Sequence, residues 1–419
     1  MGHVWVPEDR QAQIGRIWFN LAAFLIAVGL ITHQPAPFVM AACLVTVIPI
    51  AWMWSRVALR GVTYEREFDT EYAFPGETVR MTIWVTNRKP LPLSWLEITD
   101  HVPTPLPLAG GELRPTHLPE MMQLNIVLSL RWYERVRRQY NLMCTKRGIY
   151  WLGPVTFRSG DIFTLFETQE DRPLRNRLVV YPQVWAFEEL GWPSKDPFGD
   201  RKATQRLVED PLRTRGVRDY YPEDGWRYVH WKATARRGEL QVRMLEPTAS
   251  PSLVMFLNIA TFHYHWQGVI PDLLERLVSV TGSIAVWALD QKYKVGLVAN
   301  GSFPLSDQPV CVPAGRSPGQ RVILLEALAA LGSVAMLPIH DLLQRESPRL
   351  PWGATIVMIT AIVTDPLLAV MLQLRDAGRQ VVLVSLSEEL PVVPKGIIVY
   401  HLPSASPVFQ AFTTRYIDR

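Results

Sequence analysis

The chain has 419 residues, 48% of them apolar, and its 43 Lys/Arg against 39 Asp/Glu leave a formal net charge of +4. So small an excess does not indicate a nucleic-acid binder, while the length and apolar fraction suffice for two or three domains with ordinary cores. Three cysteines (Cys43, Cys144 and Cys311), odd in number and far apart with no C-x-x-C pair, argue against a disulfide framework and a structural zinc site, and for a reducing compartment.

Residues 1–60 read as a membrane anchor. Ile17–Ile31 is apolar except for Asn20, and Ala36–Trp54 is a second uncharged run. At ~1.5 Å per residue the second run spans about 28 Å, close to the ~30 Å hydrocarbon core of a bilayer. Pro35 and Pro37 in the connector make the pair a tight two-helix transmembrane hairpin, and Pro49 is tolerable within a membrane helix. A cleaved signal peptide is the competing reading of the first run; the immediate second run and the lack of an A-x-A site count against it. Arg10 and Arg16 precede the hairpin and Arg56 and Arg60 follow it, so the positive-inside rule places both ends in the cytoplasm. That makes a multi-pass cell-membrane protein with its soluble part on the cytoplasmic side.

Residues 61–184 carry short alternating runs separated by turns. Val79–Val85, Gln123–Leu130, Arg138–Thr145 and Leu178–Tyr181 read as strands, which together predict an antiparallel β-sandwich of immunoglobulin-like type. Trp185–Arg215 is charged and without periodicity, and reads as a long surface loop.

The densest chemistry lies in Arg218–Glu246, within a segment 185–246. Pro222 ends an extended run, Asp224 is a candidate N-cap, and Trp226–Arg236 is the predicted helix, with Trp226, Val229, His230 and Ala233 on one face. Gly238 stops that helix and Leu240–Leu245 alternates like a strand. Arg218, Tyr220, Asp224, Arg227, His230, Trp231, Lys232 and Arg236 are the partner-docking candidates. The bland alternative anchors His230 and Trp231 against a sheet while the basic residues pair with acids such as Asp219 or Glu246. A catalytic role for His230, as in a hydrolase, would need a nucleophile in reach, and no G-x-S-x-G or Cys/His arrangement supplies one. Eleven basic residues against six acids between Arg201 and Arg243 suggest a patch for anionic lipid or an acidic partner.

This stretch resembles the signature of the bacterial domain-of-unknown-function 58 family, approximately R-x-Y-x-P-G-D-x-x-R-x-I-H-W-K-A-S-A-R-x-G-x-L-x-V-x-x-x-E. Arg218, Tyr220, Pro222, Asp224, Arg227, His230, Trp231, Lys232, Ala233, Ala235, Arg236, Gly238, Leu240, Val242 and Glu246 match it, while Glu223 replaces its glycine. Upstream, Arg147–Val155 and Gly160–Glu167 resemble the family's R-G-x-Y-x-L-G-P and D-P-F-G-L-F segments, with Ile162 and Thr164 departing. The resemblance implies a membrane-anchored adaptor working with a MoxR-type AAA+ ATPase, alongside envelope or transglutaminase-like proteins. No P-loop is present here, so ATP chemistry would belong to the partner.

Residues 247–419 alternate strands and helices: strands at Leu253–Asn258, Lys294–Ala299, Ala354–Thr360 and Gln380–Leu386, helices at Pro271–Leu289, Gly319–Leu331, Ile339–Gln344 and Pro366–Ala377. That pattern predicts an α/β domain with a mostly parallel doubly wound sheet, resembling a von Willebrand A domain. Such a domain would hold a divalent metal with D-x-S-x-S after its first strand. Here the place reads Asn258-Ile259-Ala260-Thr261-Phe262, which leaves Asn258, Thr261 and Asp365 as a degenerate ligand set and predicts no metal or other cofactor. His263 and His265 alternate without a third ligand, and Cys311 falls in a Pro-rich loop.

Overall fold

The computed structural model describes residues 8–192, 198, 209–221, 224–247, 251–264, 267–303, 306–351, 353–403, 405, 406 and 409. The chain divides into two compact units, Met1–Tyr181 and Pro182–Arg419.

The first unit opens with helices α1 (Glu8–Thr32) and α2 (Pro35–Ala58), packed on each other across a two-residue connector. Pro35 and Pro37 open α2 where a missing N–H costs nothing, and Pro49 lies inside it. Only α2 is long and apolar enough to cross a membrane among the described residues; α1 contributes a shorter apolar stretch, Asn20–Thr32.

The strands that follow are β1 (Val62–Phe68), β2 (Tyr72–Ala73), β3 (Thr78–Asn87), β4 (Leu93–Pro103), β5 (Leu108–Ala109), β6 (Leu113–Pro115), β7 (Met121–Leu130), β8 (Arg135–Met143), β9 (Gly148–Leu152), β10 (Val155–Gly160), β11 (Glu167–Arg172) and β12 (Asn176–Val180). They form sheets ordered β1-β3-β8-β5, β11-β10-β4-β7-β6 and β2-β12-β9. Pairing is antiparallel throughout except between β2 and β12. Alternation does the sorting: Val79, Met81, Ile83 and Val85 of β3 point into one core with Leu96 and Ile98 of β4 and Phe157 of β10. Inside that core Arg66 Nη2 donates to both carboxylate oxygens of Asp100, at 2.5 and 2.6 Å, and the Tyr64 hydroxyl donates to the same carboxylate at 2.7 Å.

The second unit begins with an antiparallel ribbon, β13 (Glu209–Asp219) against β14 (Gln241–Pro247), enclosing the short helix α3 (Trp231–Arg237). A six-stranded sheet follows, built of β15 (Ser252–Leu257), β16 (Lys294–Phe303), β17 (Ser306–Gly315), β18 (Thr355–Thr360), β19 (Val381–Ser385) and β20 (Ile398–His401), in the order β17-β16-β15-β18-β19-β20. All neighbours are parallel except the edge strand β17, which returns antiparallel from β16. Every residue of β15, β18 and β19 is buried, as strands covered on both faces must be. Helices α4 (Pro271–Asp290) and α5 (Gln320–Ala330) cover one face, and α6 (Ile339–Glu346) and α7 (Asp365–Asp376) the other.

Two sequence expectations change here. Cys311 lies in β17, not in a loop. Part of the supposed surface loop Trp185–Arg215 is core: Phe187, Leu190, Trp192 and Phe198 are buried against α4 and the sheet, with Phe187 stacked on Trp287 at 4.4 Å. Its polar residues hide that role because the four apolar ones follow neither helical nor strand spacing. Glu209–Arg215 belong to β13, and residues 193–197 and 199–208 lie outside the described residues.

Candidate functional site

The segment Arg218–Glu246 folds as ribbon, turn and helix, but its helix is shorter than its periodicity suggests. Trp226–Tyr228 forms a single 3-10 turn, Val229 returns to extended backbone as a bridge to Val242, and α3 starts only at Trp231. The predicted shared face of Trp226, Val229, His230 and Ala233 therefore does not exist. Val229 is buried beside Val242, while the exposed Trp226 ring lies tilted against Tyr220 with centroids 5.6 Å apart.

The capping assignments change with it. His230, not Asp224, caps α3: its Nδ1 accepts the Ala233 N–H at 3.1 Å. Asp224 instead accepts the Tyr221 N–H at 2.9 Å and a bidentate Arg218 at 2.6 and 2.7 Å, which pins the turn before the helix. Gly238 ends α3 in the left-handed region at φ 77°, where a Cβ would be strained.

One residue unflagged by the sequence holds the assembly together. Gln241 is fully buried; its backbone N–H donates to Thr234 Oγ1 at 3.0 Å and its carbonyl accepts from His230 N at 2.7 Å. Its side chain donates to Asp219 Oδ1 at 2.6 Å and accepts from Arg237 Nη1 at 3.2 Å. The alternation of Leu240, Val242 and Met244 hides it by assigning Gln241 to solvent. Its position opposite Asp219 in the ribbon register is the signal that finds it.

The exposed side chains of this braced turn are largely aromatic and basic. Tyr221, Trp226 and Trp231 are each about two-thirds exposed, at 63%, 64% and 63%. Trp231 is thus no core anchor. Lys232 and Arg236 are exposed on the same helix, and Arg237 approaches Asp219 only at 3.9 Å. Arg227 sits in the 3-10 turn, and its side chain lies outside the described residues, as does that of Glu246.

The second candidate lies at the carboxyl ends of β15 and β18, where the strand order reverses and open α/β sheets place their ligands. A cleft of about 250 Å³ opens there, lined by Asn258, Ala260 and Phe262 after β15, His340 on α6 and Thr364 before α7, among others. The amide of Asn258 and the hydroxyl of nearby Thr261 are already bonded within the protein. Asn258 Oδ1 accepts from Asn300 Nδ2 at 2.9 Å and Ala260 N at 3.2 Å, and its Nδ2 donates to Thr360 Oγ1 at 2.9 Å. Thr261 Oγ1 accepts from Ile270 N at 2.7 Å, and Asp365 stands exposed in the first turn of α7. This donor set does not fit a divalent cation, which needs several uncommitted oxygens, at least some of them charged. Asn300 and Thr360, both fully buried, complete a polar network that gives no sign in the sequence because its members come from three distant places, just after β15, on β16 and on β18. His263 stands edge-on to Tyr264 at 5.2 Å by the same cleft; His265 lies outside the described residues.

No protein-family model matches the chain. It is 25% identical over 303 residues to an uncharacterized protein, YeaD, of Bacillus subtilis (strain 168), which takes in 69% of this chain and 65% of that relative. The chain thus spans just under two thirds of the relative's length. Similar solved structures include a CARDB domain from Pyrococcus furiosus (12% identity, TM-score 0.20, 28% of this chain and 91% of that one). A type I cohesin–dockerin complex from Clostridium thermocellum is similar at 11% identity and a TM-score of 0.20, over 28% of this chain and 99% of that one. The collagen-binding domain of a Staphylococcus aureus adhesin gives 10% identity and a TM-score of 0.20, over 28% and 96%. Likeness at that level adds nothing to the strand pairing described above.

Proposed function

We propose that the chain is a membrane-anchored adaptor that presents its signature turn to a MoxR-type AAA+ ATPase. The observation that carries the reading is the exposed trio Tyr221, Trp226 and Trp231 beside Lys232 and Arg236, held on a turn braced from behind by Gln241. Large aromatics with an adjacent cation are the side chains that dominate protein interfaces, and soluble surfaces seldom cluster them without a partner. The resemblance to the domain-of-unknown-function 58 family supplies the partner class, and envelope or transglutaminase-like proteins the context. A two-helix anchor with both ends cytoplasmic is the topology that the arginine distribution supports. The second unit is then a von Willebrand A-like domain whose strand-end site has become a neutral asparagine network. A hydrolase working through His230 draws little support, because that ring nitrogen caps a helix and Asp224 is committed to Arg218.

Affinity capture from detergent-solubilised membranes tests the reading, using the full chain and a Trp231→Glu/Lys232→Glu variant. An AAA+ ATPase should be enriched several-fold with the first and lost with the second. Equal recovery on both would remove the signature turn as the docking face.

A further inference from the structure

Helix α2 runs straight into one end of the sandwich. β1 begins within four residues of the helix end, and the register sets Val62 opposite Asn87, Leu93 opposite Leu130, Thr86 opposite Arg135 and Leu96 opposite Ser159. Three turns therefore lie at the end where the helix enters: residues 88–92 and 131–134, which cross from one sheet to the other, and 161–166, which closes the β10–β11 hairpin. Lys89 from the first turn donates to the carbonyls of Val57, Ala58 and Arg60, and the Tyr133 N–H of the second donates to Lys89 O at 3.3 Å.

The third turn lies farthest along the helix. Arg172 donates to Val62 O at 2.6 Å, just beyond α2, while Thr168 donates to Ser55 O at 3.0 Å, inside it. Moving toward the tip of the β10–β11 hairpin thus means moving back along α2 toward its apolar stretch. The tip lies a few residues past Thr168, or about 10 Å at ~3.3 Å per residue. Its shape is fixed rather than loose. The buried Asp161 carboxylate accepts from Phe163 N at 2.8 Å and Phe166 N at 2.7 Å, and at Gly160 a Cβ would meet Phe166 O at 2.4 Å.

What the turns display is apolar and basic. Ile162 and Phe163 on the third turn and Trp132 and Tyr133 on the second are each more than half exposed. Arg56, Arg60, Arg88 and Arg131 are exposed around them, and Arg56 lies over the Trp52 ring at 4.0 Å. Aromatic side chains at headgroup depth and basic residues against anionic phosphates are the two marks of a surface lying in a bilayer interface.

We propose that this end of the sandwich sits in the membrane interface. Ile162 and Phe163 enter the acyl boundary, and Trp132 and Tyr133 lie among the headgroups. The proposal rests on α2 crossing the bilayer. The occupant is lipid because the turns flank the helix that enters it.

The test uses the full chain with Cys311→Ser, reconstituted into vesicles of phosphatidylcholine and phosphatidylglycerol, carrying one environment-sensitive fluorophore at a time. Native Cys43, exposed on α2, reports whether the helix crosses. Phe163→Cys and Trp132→Cys, in a Cys43→Ser background, report the turns, and Leu118→Cys at the opposite end of the sandwich is the control. The buried Cys144 thiol, pushed up to about 11 mainly by desolvation and then by Glu77 and Asp69, stays unlabelled. Nitroxide lipids should quench labels at 43, 163 and 132 several-fold and leave 118 unchanged. Quenching at 43 with 163 and 132 behaving like 118 overturns the proposal while leaving the anchor intact. A label at 43 that escapes quenching removes the anchor and the proposal together. A blue shift at 163 without lipid quenching marks burial against protein, a second copy or a partner, and also overturns it.

Discussion

Asp100 and Arg66 show how much one pair of side chains carries. Both side chains are fully buried, so Asp100→Asn strands a guanidinium charge in the sandwich core and should destabilise the first unit by roughly 3–5 kcal/mol, read by chemical denaturation. Replacing both together by apolar residues should recover most of that loss. Lys89 makes a different forecast. Desolvation lowers its amine to about 8 from the ordinary 10.5, so between those values the unfolded chain binds the extra proton. Stability should therefore rise as pH climbs from about 8 toward 10.5, and Lys89→Met should flatten that segment of the profile. Trp231 belongs at this scale too. A tryptophan in a helical sequence pattern reads as core, but with its ring exposed Trp231→Ala should change stability by no more than about 0.5 kcal/mol. A loss near the ~3–5 kcal/mol typical of a buried aromatic would mean that the ring packs inside after all.

At the scale of elements, α3 separates cap from catalyst. His230→Asn keeps an acceptor at the N-cap and should retain the fold, whereas His230→Ala should cost about 1 kcal/mol. If partner capture or any hydrolytic activity vanished with the asparagine variant while stability held, the ring would have a chemical role beyond capping. Strands and helices with a clean period were legible in the sequence. The alternation of Val79–Val85 and the unbroken apolar run Leu253–Leu257 mark sheets covered on one face and on both. The helix start was not. Trp226, Val229, His230 and Ala233 share helical spacing by accident of two separate turns, and a bridge between Val229 and Val242 overrides the local propensity. Of the candidate site, the exposed cations could be read from the residues. Gln241, which braces them, could not, because its burial depends on strand pairing with Asp219 across more than twenty residues.

The whole molecule joins an apolar helix long enough to cross a membrane to a β-sandwich, and adds a second unit that combines an α/β sheet with the turn proposed for docking. Reporters fused before Arg10 and after Arg419 should both be active only in the cytoplasm. Either one found across the membrane would put the docking turn out of an ATPase's reach. Millimolar Mg²⁺ should leave the melting temperature of the detergent-solubilised chain unchanged, since Asn258 and Thr261 are already bonded and a cation bound only to the native state would raise it. The docking claim is tested most directly by the affinity of the purified chain for the AAA+ ATPase it captures, compared with that of Lys232→Glu. The reversal should weaken binding at least tenfold, which corresponds to about 1.4 kcal/mol, with the melting temperature unmoved. Equal affinity in a folded variant would contradict the assignment of this surface.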